Sequence, residues 1–96
     1  MMIKLTGNPS ENRQELFRFI PPESDISVAK AKMEKAGFTC TEQINGEFLD
    51  HKNLDYVYCD LEKSKGFLIS ERWQVALVHK NSKITEIYSS YGLTGP

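Results

Sequence analysis

The chain has 96 residues, 12 basic and 13 acidic, a formal charge of −1 and 40% hydrophobic side chains. That length makes one domain, 1–96, and a chain of this size buries roughly two-thirds of its unfolded surface, so a core forms without a metal staple. The balanced charge gives no electrostatic reason to bind nucleic acid or an anionic membrane, and no apolar run approaches the roughly 18 residues that span a bilayer.

Residues 1–24 read as a less regular N-terminal segment, and 25–96 as a helix followed by antiparallel sheet. The start, Met1-Met2-Ile3-Lys4-Leu5, lacks the apolar stretch and small-residue cleavage site of a secretory signal. Gly7-Asn8-Pro9-Ser10 is a turn, since Asn and Gly tolerate positive φ and Pro fixes its own. Ser10 is the expected cap of a short helix over 10–19, with Leu16, Phe17, Phe19 and Ile20 at its apolar end. Pro21-Pro22 stops it. An extended strand across Leu16 to Ile20 competes with this helix.

The main helix is predicted over about 25–36. Ser24 or Asp25 supplies its N-cap, and Ile26, Ala29, Met33 and Ala36 recur at helical spacing. Gly37 suits the left-handed position past its end, and Lys32 and Lys35 complement the helix dipole in the last turns.

After the helix the chain reads as a sheet of three to four strands, at about 38–44, 54–61, 67–79 and 83–89. The fold class is α+β. Folding the first hairpin about Leu49-Asp50 sets Cys40 opposite Cys59. Phe38, Cys40 and Ile44 then share a core face with Val57, Cys59 and Leu61. Thr39, Thr41, Gln43, Tyr56, Tyr58 and Asp60 take the other face. Trp73, Val75 and Leu77 point to the core from the third strand. Asn45 to Asn53 is expected to be a polar, mobile loop, and Glu62 to Gly66 a connection. Lys80-Asn81-Ser82-Lys83 is a turn whose two-, three- and four-residue forms all remain open. The tail from Ser89 to Pro96 is expected to run over the surface.

Cys40 and Cys59 are the only cysteines. Directly opposed strand residues lie within reach of a disulfide, so a bridge is preferred over two reduced core thiols. Facing an apolar layer without a Cys-x-x-Cys partner, neither reads as a reactive thiol. His51 and His79 are the only histidines, and neither forms a close pair with a cysteine, so no zinc-ligand spacing arises. Both read as solvated polar residues. There is no Gly-x-Ser-x-Gly elbow and no Gly-rich phosphate loop after a strand. No catalytic residue, metal or cofactor is therefore assigned.

One helix covers one side of a sheet. The uncovered side is the candidate interaction surface: Tyr56, Tyr58, Thr39, Thr41, Arg72 and Gln74. Tyr and Arg suit such a role because each presents much area with a polar tip. The competing reading is that Leu16, Phe17, Phe19 and Ile20 fold over part of that face and hide it.

Ile20-Pro21-Pro22-Glu23-Ser24, Ala36-Gly37-Phe38-Thr39-Cys40, Tyr58-Cys59-Asp60, Trp73-Gln74-Val75 and Tyr91-Gly92-Leu93-Thr94-Gly95-Pro96 together resemble a group of small bacterial proteins, some lipoprotein-like. The resemblance spans residues 20–96. Members of the group often carry Gly where Glu23 stands, and the lipoprotein-like ones have a signal and a lipid-bearing Cys that this chain lacks. The resemblance implies no activity. In architecture alone, a helix on an antiparallel sheet also looks like the small envelope modules related to lactamase-inhibitor proteins.

The expected function is a non-enzymatic binding or protein-interaction module acting through the outer sheet face, with a protein partner. The alternative is a small enzyme or ligand-binding domain whose site lies at the 45–53 loop and the C-terminal tail. A homodimer through an exposed sheet edge is a third expectation. The compartment follows the cysteines: periplasm or envelope if they are oxidised and a signal has been removed, cytoplasm otherwise.

Overall fold

Both helices begin where a side chain can take up the free amides of a first turn. In the computed structural model, which describes residues 3–94, helix α1 spans Pro9–Phe19. Asn8 caps it, its Oδ1 accepting from the amides of Ser10 at 2.9 Å and Glu11 at 3.2 Å. The cap is therefore Asn8 rather than Ser10, because Pro9, with its fixed φ and no amide, sits best at the first helical position. Leu16 and Ile20, four apart, are fully buried. That helical spacing overrides the extended alternative for this stretch. Ile20 itself turns extended, as a residue before proline must.

Helix α2 spans Ile26–Lys35, capped by Asp25 onto Ser27 at 2.9 Å. It ends in a left-handed glycine: Gly37 has φ 104°, its amide meets the Glu34 carbonyl at 3.0 Å, and the Phe38 amide meets Met33 at 3.0 Å. This is the paired 5→2 and 6→1 closure that glycine permits. The helical layer thus has two members of 11 and 10 residues, not one main helix.

The sheet has four antiparallel strands in chain order, β1 (Thr39–Phe48), β2 (His51–Gly66), β3 (Ile69–Lys80) and β4 (Lys83–Thr94). Cys40 pairs with Cys59 across β1 and β2, and the two are joined in a disulfide with Cα atoms 4.1 Å apart. All three hairpins close with two residues: Leu49-Asp50, Phe67-Leu68 and Asn81-Ser82. Asn81 and Ser82 both have positive φ, which gives the turn a twist that matches the strands. β1, β2 and β4 run further than the sequence pattern predicts, while β3 keeps close to its expected span. Residues 45–53 are not a loop, 62–66 continue β2, and 89–94 belong to β4; Gly95 and Pro96 lie outside the described residues. Polar composition marked exposure there, while the backbone amides still paired in the ladder.

Both helices lie on one face. Leu16, Ile20, Ala29 and Met33 pack there on Phe38, Cys40, Val57, Cys59, Trp73, Val75, Leu77, Ile84 and Ile87. Ile44 was expected in this core but is 68% exposed. Between Gln43 and Gly46 the register of β1 shifts, Asn45 takes φ 52°, and the strand leaves the core.

The N-terminal segment is tied down by polar contacts. Asn12, only 1% exposed, accepts from the Thr6 amide at 2.7 Å and donates to its carbonyl at 2.8 Å. The Trp73 indole donates to the same carbonyl at 2.8 Å. Residues 23–26 pair with the start of β4 through Glu23 and Ser24 to Ile84 and with the turn before it through Ile26 to Ser82.

The outer face of the sheet as a candidate interaction surface

With both helices on one side, the other side of the sheet is built from alternate residues of four strands. Register sets Thr41, Tyr58, Ala76 and Tyr88 in one row, and Thr39, Asp60, Gln74 and Ser90 in the next. Glu62, Arg72 and Gly92 form a third.

One end of this face is covered, and not by the residues expected to cover it. Leu16, Phe17, Phe19 and Ile20 all pack on the opposite side. The cover is the distal end of the β1–β2 hairpin, which folds back over the sheet as a flap. Phe48, 7% exposed, joins Tyr56, Ala76 and Val78 in a second core, with Leu54, Tyr58 and Tyr88 packed around it. Its ring meets Tyr56 edge-on at 6.0 Å. His51 stacks on Tyr88 with centroids 3.9 Å apart, so it is not a free loop histidine. The flap bends at shifted register between Gln43 and Phe48, with Asn45 and Asn53 at positive φ. At Gly46 a Cβ would lie 3.3 Å from the Tyr56 ring, so a larger residue would press the ring back by a few tenths of an ångström.

The expected surface residues therefore separate. Tyr56 is 5% exposed and donates its hydroxyl to the Glu47 carbonyl at 2.8 Å. It supports the flap and presents nothing to solvent. Burial, and then the neighbouring Tyr58, push its pKa up. Thr39 and Thr41 are exposed on edge strand β1, and Tyr58, Arg72 and Gln74 are half-buried. Sequence periodicity placed Tyr56 on the right face; what it missed was the flap, for which Phe48 amid polar neighbours and Gly46 were the signals.

The open part of the face is ordered. Arg72 grips Asp60 in a two-point contact, Nε to Oδ1 at 2.8 Å and a terminal nitrogen to Oδ2 at 3.2 Å. This hydrogen bonding, with the carboxylate charge, raises the Arg72 pKa above the ordinary arginine range. Gln74 donates to the Tyr58 hydroxyl at 2.7 Å. The result is a polar patch of hydrogen-bonded side chains beside an aromatic flap.

Elsewhere the chemistry is sparse. Cys40 and Cys59 are buried and bridged. His79, on the helix side, has its Nε2 4.0 Å from Glu42 Oε1 with no hydrogen-bond partner among the described residues. A shallow pocket between the N-terminal segment, the end of α2 and the sheet is lined by Ile3, Leu5, Ala36, Leu61, Lys63 and Trp73, and holds neither histidine. No three His, Cys, Asp or Glu side chains gather to hold a metal among the described residues. No described helix is long and apolar enough to cross a membrane. Of the alternative site at 45–53 and the C-terminal tail, Thr94 pairs with Ser70, at the sheet end opposite the Leu49-Asp50 turn. The chain matches no protein-family model, no curated protein and no solved structure.

Proposed function

We propose that this chain is a non-enzymatic protein-interaction module whose contact surface is the open outer face of the sheet: Thr39, Thr41, Tyr58, Arg72 and Gln74. The observation that carries the reading is the contrast between the two sheet faces. One is covered over its central rows by two helices. The other, over its open half, holds side chains locked by the Arg72–Asp60 and Gln74–Tyr58 contacts. Fixed side chains lose little entropy on binding, which favours recognition of another folded surface. The disulfide fits an oxidising compartment.

The test is affinity capture from a native extract with the wild-type chain, a Thr41→Arg/Gln74→Arg variant and a control changed on the far side, Lys30→Glu. Partners held by the wild type and the control but lost with the face variant are the expected result. Equal recovery with all three removes this surface from the proposal.

A further inference from the structure

An asparagine is chemically unstable wherever the next backbone nitrogen can reach its side-chain carbonyl carbon. The chain has five asparagines, and their surroundings differ. Asn8 precedes Pro9, which has no amide hydrogen to lose. Asn12 is 1% exposed, with both side-chain polar atoms hydrogen-bonded to Thr6. Asn53 and Asn81 are exposed but are followed by Leu54 and Ser82, whose side chains crowd the approach. Asn45 is exposed and is followed by glycine, which puts nothing in the way.

The backbone of the flap adds a second feature. Gln43 pairs with Tyr56 and Gly46 with Leu54, so Ile44 and Asn45 together face the single Asp55. Such a bulge takes its extra residue out of the ladder. The Asn45 amide accordingly donates to a side chain, Asp55 Oδ1 at 2.9 Å. The left-handed φ of 52° accounts for an asparagine at this position, since that conformation suits it better than most residues. The glycine that follows is what makes the position reactive.

We propose that Asn45 is a modification site at which the chain alters itself, with water as the co-reactant. The Gly46 nitrogen, giving its proton to solvent base, attacks Cγ of Asn45. A C–N bond forms, the Cγ–Nδ2 bond breaks, and the side-chain nitrogen leaves as ammonia after taking a proton from water. Water then opens the five-membered imide at either carbonyl. One opening leaves aspartate; the other leaves isoaspartate, in which the main chain runs through the side-chain carbonyl carbon. Either product sets a new carboxylate beside Asp55, where like charges repel. Isoaspartate also adds one carbon to the main chain of the bulge. Gly46 lies against the Tyr56 ring, and Phe48 is seated in the second core two residues on, so a shift at 45 loosens both contacts. The modification is thus a slow, one-way release of the flap from the outer face. The reacting residues lie outside the proposed partner surface, so the two readings stand or fall separately.

Ageing of the intact, oxidised chain in mildly alkaline buffer, followed by peptide mass spectrometry, tests the proposal. The expected result is the mass gain of an amide turned to an acid at Asn45, in separable aspartate and isoaspartate peptides, well ahead of Asn53 and Asn81. Asn45→Gly, which suits the same left-handed backbone, abolishes the change. Amide exchange at 46–54 rises in proportion to the converted fraction while β3 stays protected, and a fresh Asn45→Asp chain shows the part of that rise due to charge alone. An Asn45→Gly chain aged in parallel shows no rise, which ties the loosening to the modification rather than to storage. Conversion of the unfolded chain but not of the folded one overturns the proposal, because the bulge then shields Asn45. Conversion of Asn81 ahead of Asn45 does so too, as does full conversion with unchanged exchange at 46–54.

Discussion

The imidazole of His51 lies flat on the ring of Tyr88, with centroids 3.9 Å apart and planes within 10°. The two residues belong to strands separated by all of β3, so the stack exists only because the flap crosses the sheet. Replacing His51 with Ala should cost about 0.5–1.5 kcal/mol, the ordinary worth of an aromatic pair. It should also raise amide exchange at 46–54 while leaving β3 protected. Exchange measured by mass spectrometry at peptide resolution separates the two; equal rates in wild type and variant would mean that the stack does not hold the flap.

The disulfide closes a loop between residues 19 apart in sequence. In the chain-entropy treatment such a loop contributes about 3 kcal/mol. A Cys40→Ala/Cys59→Ala variant should therefore unfold at a clearly lower denaturant concentration, with its secondary structure by circular dichroism unchanged in buffer. Reduction of the wild type should reproduce the loss.

Asn12 acts as a short strand for Thr6, meeting both of its backbone groups from a fully buried position. Asn12→Ala would leave the Thr6 amide without that partner. The expected cost is about 1–3 kcal/mol, the penalty for stranding a buried polar group. The Trp73 indole should report it, because its own hydrogen bond ends on Thr6; a shift of its fluorescence maximum is the readout.

Stability should fall at both ends of the pH range, for opposite reasons. Asp25 is held below its ordinary value of 3.8 by hydrogen bonds from the Ser27 side chain and amide. A depressed carboxyl adds stability above its unfolded value and loses it as pH drops through the folded one, so the loss comes below about pH 4. Tyr91 is raised above 10.0 chiefly by its hydrogen bond to Glu71, and Tyr56 chiefly by burial. A raised phenol adds stability below its unfolded value and loses it as pH climbs through the folded one, so that loss comes above about pH 10. Denaturant midpoints at stepped pH check both limbs. Asp25→Asn should flatten the acid limb, and absorbance near 295 nm should show two phenols titrating late.

What the sequence disclosed, it disclosed through periodicity. Cys40 opposite Cys59, Tyr56 and Tyr58 on the face away from Val57, and Gly37 past the end of α2 all follow from local spacing. The failures lie where a long-range partner redefined a local signal. Asn45 to Asn53 has loop composition, yet it forms the flap because Phe48 finds Tyr56, Ala76 and Val78 on the sheet. Ser10 looked like a cap, but Pro9 moved the helix start and gave the role to Asn8. Glu23, at φ 68°, occupies a conformation suited to glycine because its amide is committed to Ile84. Of the candidate surface, the face was legible; the burial of Tyr56 was not, since nothing local shows what will fold over a tyrosine.

The anchoring of the N-terminal segment imposes an order in time. Thr6 and Trp73 are 67 positions apart, and Arg13 reaches Ile87 across 74. On a ribosome adding roughly 5–20 residues per second, the partners of α1 follow it by roughly 4–15 s. Throughout that interval Leu16 and Ile20 have no β4 to lie on, while the first two hairpins can zip one after another from neighbouring sequence. The first helix made is thus the last piece seated. A nascent chain halted before residue 84 would hold a sheet lacking its fourth strand and expose the apolar stripe of α1, the state in which this small protein most needs a chaperone.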